Sequence, residues 1–289
     1  MIKVVSVEKM RQIEAAADSG GLSFDTLMQN AGAAVAHRAL EILAGSPEAR
    51  VTVLVGSGNN GGDGLVAGRL IAQAGTAQVR FYLLKRRDES DPNFKAVQDA
   101  GLFIAYAEDD RDFRVLRNMV ASATLVIDAL FGIGVRLPFK ADVAKVLRNI
   151  SQALNDDQSP EHPEGITITP ISPSPTPFAR PYVLAVDCPS GLNCDTGELD
   201  KNAIIADGTV TFIAAKPGLF EFPGAAAVGK LHVAILGVLP DLPELDAESR
   251  TLVDGASMRQ LLPARPANAN KGTFATALIG DGSGNIREQ

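Results

Sequence analysis

The chain has 289 residues, 46% hydrophobic and 21% charged, with a formal net charge of −7. That length allows one large domain, or one domain and a fragment of a second, in a soluble globular protein. The acidic balance excludes broad attraction to nucleic acid or to an anionic membrane, and the absence of Trp argues against a base-stacking single-strand binder.

The N-terminal stretch "MIKVVSVEKMRQIE" lacks the apolar core of a signal peptide, and no apolar run approaches the ~20 residues of a membrane span. A cytoplasmic location is therefore expected. Two cysteines, Cys188 and Cys194, without a C-x-x-C, and three scattered histidines do not make a zinc site. Free thiols in a reducing compartment are the expectation.

Helical periodicity comes first along the chain. "SVEKMRQIEAAADS" and "SFDTLMQNAGAAVAHRALEILAG" predict two amphipathic helices. "VTVLV" is a short strand before a glycine turn, Gly56 to Gly64, that runs into the helical "GLVAGRLIAQAG". "VRFYLL" is the next strand, and Asp91-Pro92 is an N-cap with Pro at the first helical position. "RDFRVLRNMVASA" is a helix, "TLVIDALFGIG" a strand with a second glycine turn, and "FKADVAKVLRNISQAL" a helix. "YVLAVDCPSG", "GTVTFIA" and "KLHVAILGV" are three more strands.

This alternation predicts an α/β fold: a Rossmann-like, doubly wound, mostly parallel sheet with helices on both faces. Three strands end in polar or glycine turns, at Gly56–Gly64, Asp128–Pro138 and Asp187–Gly191. Ligands in such sheets bind beyond the carboxyl ends of the strands, so neighbouring strands would bring the turns into one crevice. The segment 155–181 breaks the rhythm, with seven of the 17 prolines, and reads as an insertion or extended loop with a short strand at 166–169.

The first turn, "GSGNNGGDG", satisfies G-x-G-x-x-G between a strand and a helix. That helix, expected to start near Gly64, would aim its amides at a phosphate. The acidic residue that closes the second strand in many dinucleotide folds is replaced by Lys85-Arg86-Arg87. That cluster is either a partner for a 2′-phosphate or a solvated strand end. Asp128 and Asp187 each end an apolar strand, where burial and neighbours tune a carboxylate. One such aspartate reads as a cap; two, facing an Asn-Asn-Gly-Gly-Asp loop, read as a site. Ser190 has no base near it in sequence, which leaves a serine nucleophile unsupported. Asn carbonyls, an Asp carboxylate and a Ser hydroxyl are hard oxygen donors, a set suited to an alkali or alkaline-earth cation.

"GSGNNGGDGLVAGRL", "VIDALFGIGVRLP", "VLAVDCPSGLNCDTGE" and "ADGTVTFIAAKPGLFEFPGAAAVGKLHVAILGV" resemble the four blocks of the NAD(P)H-hydrate epimerase (YjeF N-terminal domain) family, and "LMQNAGAAVA" its N-terminal helix. Further on, "RPANANKGTFATALIGDGSGN" resembles the start of the partner domain of bifunctional repair enzymes, the ADP-dependent NAD(P)H-hydrate dehydratase. The resemblance implies an epimerase domain at 1–238 and, at 239–289, a loosely held connector with the truncated start of a dehydratase domain. "KGTFATALIGDGSG" offers only one strand and one glycine turn with no helical run after it, so no dehydratase activity is expected of 239–289, and a short helix is expected at 255–262.

The implied reaction interconverts the C6 epimers of hydrated NADH and NADPH, with the dinucleotide as substrate and no redox cofactor. The implied potassium ligands are Asn60, of the Asn59-Asn60 pair, Asp128 and Ser190. The implied substrate contacts are Asn59, Asn60, Gly61, Gly62 and Asp63, then Gly132, Ile133, Gly134, Val135, Arg136, Leu137 and Pro138, with Asp187 as contact and acid–base group. A homodimer through the N-terminal helices is implied. Cys188 departs from the aliphatic residue usual there. The rival readings are a non-catalytic scaffold of the same fold and an ordinary dehydrogenase. A scaffold gives no reason to keep Asn60, Asp128, Asp187 and Ser190 together, and a dehydrogenase lacks a recognisable proton donor.

Overall fold

A computed structural model describes residues 2–46, 48–155 and 180–253, and single positions at 255, 258, 259 and 262. The expected strand at 166–169 and the block resembling a dehydratase domain lie outside the described residues, as does most of the expected 255–262 helix.

Seven strands form one all-parallel sheet. They are β1 (Ala49–Val55), β2 (Ala77–Leu83), β3 (Phe103–Tyr106), β4 (Leu125–Ala129), β5 (Tyr182–Val186), β6 (Gly208–Phe212) and β7 (Lys230–Ala234), in the spatial order β3-β2-β1-β4-β5-β6-β7. The helices are α1 (Val7–Ser19), α2 (Phe24–Leu43), α3 (Asn59–Gln73), α4 (Pro92–Asp99), α5 (Arg114–Ala121), α6 (Ala141–Asn155) and α7 (Pro243–Asp246). The expected Rossmann-like architecture is present. The four-residue edge strand β3, with Phe103 exposed, escapes the sequence reading because an apolar run this short does not by itself separate a strand from a helix end or a loop.

Both faces of the sheet are covered, which is why its central strands are continuous apolar runs. In β4, Leu125, Ile127 and Ala129 join the core beneath α1–α4, while Val126 joins the opposite core beneath α5 and α6. In β5, Leu184 and Val186 face the first layer, and Val183 and Ala185 the second. Small residues set the spacing. A Cβ at Gly64 of α3 would collide with Ala129 of β4, and one at Gly32 of α2 with Val66 of α3. The Asp91 cap holds as expected: its carboxylate accepts from the Asn93 and Phe94 amides at 2.9 and 3.2 Å.

Two expectations are corrected. The compact unit runs from Ile2 to Leu252, so residues 239–252 are not loosely held. Leu245 is buried, Lys3 pairs with Thr251 in an antiparallel bridge, and the Leu252 amide donates to the Ile2 carbonyl at 2.8 Å. Apolar contact to α1, which a linear reading does not register, holds the segment. The cysteines are joined rather than free: Cys188 and Cys194 form a disulfide, both buried. The chain turns back on itself after β5, with the Leu192 amide on the Pro189 carbonyl, and the turn brings the two cysteine Cα atoms to 6.9 Å.

Candidate active site

The strand order reverses between β1 and β4: the chain leaves β1 outward to β2 and β3, then returns to β4 on the other side. A crevice opens at such a switch point, beyond the carboxyl ends of the strands. Here it is a cavity of about 650 Å³. The β1 turn contributes Ser57, Gly58, Asn59, Asn60 and Asp63; the β4 turn contributes Leu130 to Val135; β5 contributes Asp187. Arg11 and Glu14 close it from α1, with Phe24 and Phe212.

The β1 turn is shorter than expected. α3 begins at Asn59 with Gly58 as its cap, so the two carboxamides and Asp63 sit in the first turns of a helix rather than in a loop. Asn and Gly are tolerated there because the first amides of a helix have no intrahelical partner. Gly61 and Gly62 pack inward: a Cβ at Gly62 would sit 2.7 Å from Met28 Sδ, and one at Gly61 would strike the Gly56 carbonyl. They let the helix start approach its neighbours and do not line the cavity. Arg136, Leu137 and Pro138 also lie outside its lining.

In the basic cluster after β2, Lys85 and Arg86 are exposed, as a solvated strand end would be, whereas Arg87 turns inward. Arg87 donates to the Gly56 carbonyl at 2.9 Å and to the Gly58 carbonyl at 3.3 Å, and pairs with Asp91 at 2.7 Å. It braces the glycine turn. Arg86 pairs with Glu108 and Asp109 and lies over the Tyr106 ring.

Asp128 and Ser190 form one buried unit. The Ser190 hydroxyl donates to Asp128 Oδ1 at 2.6 Å, the Ser190 amide to Oδ2 at 2.8 Å, and the Leu130 amide to Oδ1 at 3.3 Å. Burial pushes the Asp128 carboxyl up to about 6, against these hydrogen bonds, which pull it down. Asn60 Nδ2 is buried without a hydrogen-bond partner among the described residues, and its Oδ1 lies beside Gly132, where a Cβ would stand 3.0 Å away. Ser190 is fully buried and bonded to Asp128, an arrangement for a ligand or brace rather than a nucleophile.

Asp187 follows β5 in a left-handed backbone conformation, with φ of 62°. Aspartate adopts that region more readily than most residues, and such outliers gather at functional sites. Its Oδ1 accepts from Lys216 Nζ at 2.6 Å, from Thr211 Oγ1 at 3.0 Å and from the Phe212 amide at 3.4 Å. Lys216 is fully buried. Two further carboxyls share the cavity: burial first, then the Asp187 charge, holds Asp63 well above the ordinary aspartate value and raises Glu14.

The structure thus brings together Asn59, Asn60, Asp63, Gly132–Val135 and Asp187 around one space, while Asp128 and Ser190 lie outside its lining and reach it through the Phe131 amide, which donates to the Ser190 hydroxyl at 3.0 Å. Lys216 and Glu14 escape the sequence reading. Lys216 stands in "AAKPG", 29 residues from its partner, and Glu14 looks like any polar position of an amphipathic helix. The run "TFIAAK", an apolar strand end closing on a lysine, is the one signal present.

An all-parallel sheet of this order, with a glycine-opened helix and a polar cavity at its switch point, defines a Rossmann-like α/β domain. A family model described as YjeF-related protein N-terminus matches residues 24–218, and the chain belongs to this family. Similar curated proteins include the bifunctional NAD(P)H-hydrate repair enzyme Nnr of Thermofilum pendens, 32% identical over 98% of this chain and 48% of that protein. Another is the NAD(P)H-hydrate epimerase of Elusimicrobium minutum, 31% identical over 83% of this chain and 98% of that protein. The chain spans about half the length of the bifunctional relatives it matches. Among solved structures, yeast ynu0 (YNL200c) superposes with a TM-score of 0.59 at 21% identity, over 75% of this chain and 83% of that one, and shares the fold.

Proposed function

We propose that this chain is an NAD(P)H-hydrate epimerase, interconverting the R and S forms of hydrated NADH and NADPH at C6. The observation that carries the reading is Asp187, ion-paired on one carboxyl oxygen while lining a switch-point cavity. Full-length relatives named as epimerases support it.

The hydrated ring is a hemiaminal, with a hydroxyl on the carbon next to nitrogen. When a proton is supplied to that hydroxyl, the C6–O bond breaks, water leaves, and the nitrogen lone pair closes a planar iminium. Water adds to either face and returns one proton. Asp187 serves as the acid–base group, since one proton given and recovered balances the reaction. The free amides at the start of α3 and the Arg11 side chain at the cavity meet the pyrophosphate charge. Phe131 and Phe212 wall the cavity with apolar surface. Burial raises the carboxyls of Asp63 and Glu14, which disfavours a negative charge on either of them beside a phosphate.

The donor set also fits potassium. Asn60 offers a carboxamide oxygen beside the Gly132 turn, and Asp128 is a single buried carboxylate fixed by Ser190. These oxygens carry one negative charge, which suits a monovalent cation. Asn60, Asp128 and Ser190 would hold it, and its charge would offset phosphate charge and steady the two glycine turns. A cytoplasmic setting and a homodimer belong to the same reading. Among the described residues no helix is long and apolar enough to cross a membrane.

The test incubates the purified chain with each separated hydrate epimer of NADH and of NADPH and follows their interconversion by chromatography. Interconversion well above the spontaneous rate is expected. A rate equal to the protein-free control overturns the reading.

A further inference from the structure

An ammonium group is costly to bury, and a methionine would fill similar space without that cost. Lys216 is nevertheless fully buried, on the segment that follows β6. All three of its hydrogen bonds run to the Asp187 neighbourhood: Asp187 Oδ1 at 2.6 Å, Thr211 Oγ1 at 2.8 Å and the Phe212 carbonyl at 3.2 Å. Thr211 in turn donates to the same Oδ1. Every hydrogen bond to the Asp187 carboxyl among the described residues goes to Oδ1, while the side chain lines the cavity. Arg11 lines the same cavity, and two carboxyls, Glu14 from α1 and Asp63 from α3, repel the Asp187 charge. Lys216 is the cation paired with that charge.

We propose that Lys216 is the positioning residue for Asp187: with Thr211 it clamps Oδ1, turns Oδ2 to the cavity as the atom that handles the proton, and supplies the charge against which that proton is given and recovered. This rests on the epimerase reading. Lys216 acts through Asp187 and does not touch substrate.

The geometry makes the two residues one unit, and residues that act as a unit do not add. Lys216→Met, Asp187→Asn and the double variant are compared for kcat, KM and thermal midpoint. Lys216→Met should lower kcat by about 10- to 100-fold with KM held within about 3-fold. The double variant should be no slower than Asp187→Asn alone. Unchanged kcat in a folded Lys216→Met protein, or losses that multiply in the double variant, overturn the proposal.

If Lys216→Met does not fold, Thr211→Val removes one side of the clamp and should still lower kcat at constant KM. An unchanged kcat there counts against the proposal equally. An NMR readout needs no turnover: the Lys216 ammonium of the native protein should give a protected signal that Asp187→Asn shifts or abolishes. A native chain that shows this signal but leaves the hydrates untouched refutes the epimerase reading, whereas an active chain without it refutes the clamp.

Discussion

Asp187 sits where a cap would sit, so the first question at the residue scale is whether it works or merely holds. Asp187→Asn keeps the shape and loses the titratable proton. Epimerisation should fall by roughly 10²-fold or more with the fold intact. An active variant that melts early would return Asp187 to a capping role. Asp63 makes a different prediction. Its carboxyl is raised in the folded protein, mainly by burial, so the folded state binds the proton more tightly than the unfolded chain does. The stability it contributes is present below the ordinary aspartate value of 3.8 and is lost as pH climbs through the raised value. Asp63→Asn removes that loss. Its denaturant midpoint, measured against wild type, should therefore improve as pH rises from 4 to 8, and parallel curves would contradict the assignment. The sequence showed Asp187, Asp128, Asn60 and Ser190 because each closes an apolar run or crowds a glycine turn. It hid Lys216 and Glu14 because their significance is a distance to a residue on another element, which no local pattern encodes.

Among the elements, α3 carries the most constraint. Its start is shared between the cavity, the β1 turn and the packing against β4, and its small residues serve the last. Gly64→Ala would drive a Cβ into Ala129, at a cost of about 1–3 kcal/mol, read as a lower denaturant midpoint. α4 reaches the same turn indirectly. Asp91 caps α4 and also pairs with Arg87, which braces the Gly56 and Gly58 carbonyls. Asp91→Ala should lower stability by about 1 kcal/mol through the cap and raise KM for the dinucleotide through the released arginine. A stability loss with unchanged KM would show that the brace has no bearing on binding. The type of the long elements was legible from period alone. The start of α3 was not, because Asn-Asn-Gly-Gly-Asp has turn composition, and packing over Met28 and Gly56 overrides that local preference.

The whole molecule divides at a place that composition does not mark. Residues 239–252 lack a strong period, yet Leu245 and the Lys3–Thr251 bridge tie them to the N-terminal part of the same unit. A chain ended after Leu252 should keep the thermal midpoint of the parent, and one ended after Val238 should melt several degrees lower. Equal midpoints would free the segment from any structural role.

The order in which the chain is made has a consequence for Asp187. The aspartate emerges with β5, but Thr211 follows 24 residues later and Lys216 29 residues later. At roughly 5–20 residues per second, synthesis leaves about 1.5–6 s between the carboxylate and its counter-charge. Through that interval the growing polypeptide carries a lone negative group at the end of an apolar strand, and only water can solvate it. Sealing β5 into the interior must wait for β6, so closure of the sheet and neutralisation of the aspartate arrive as one event.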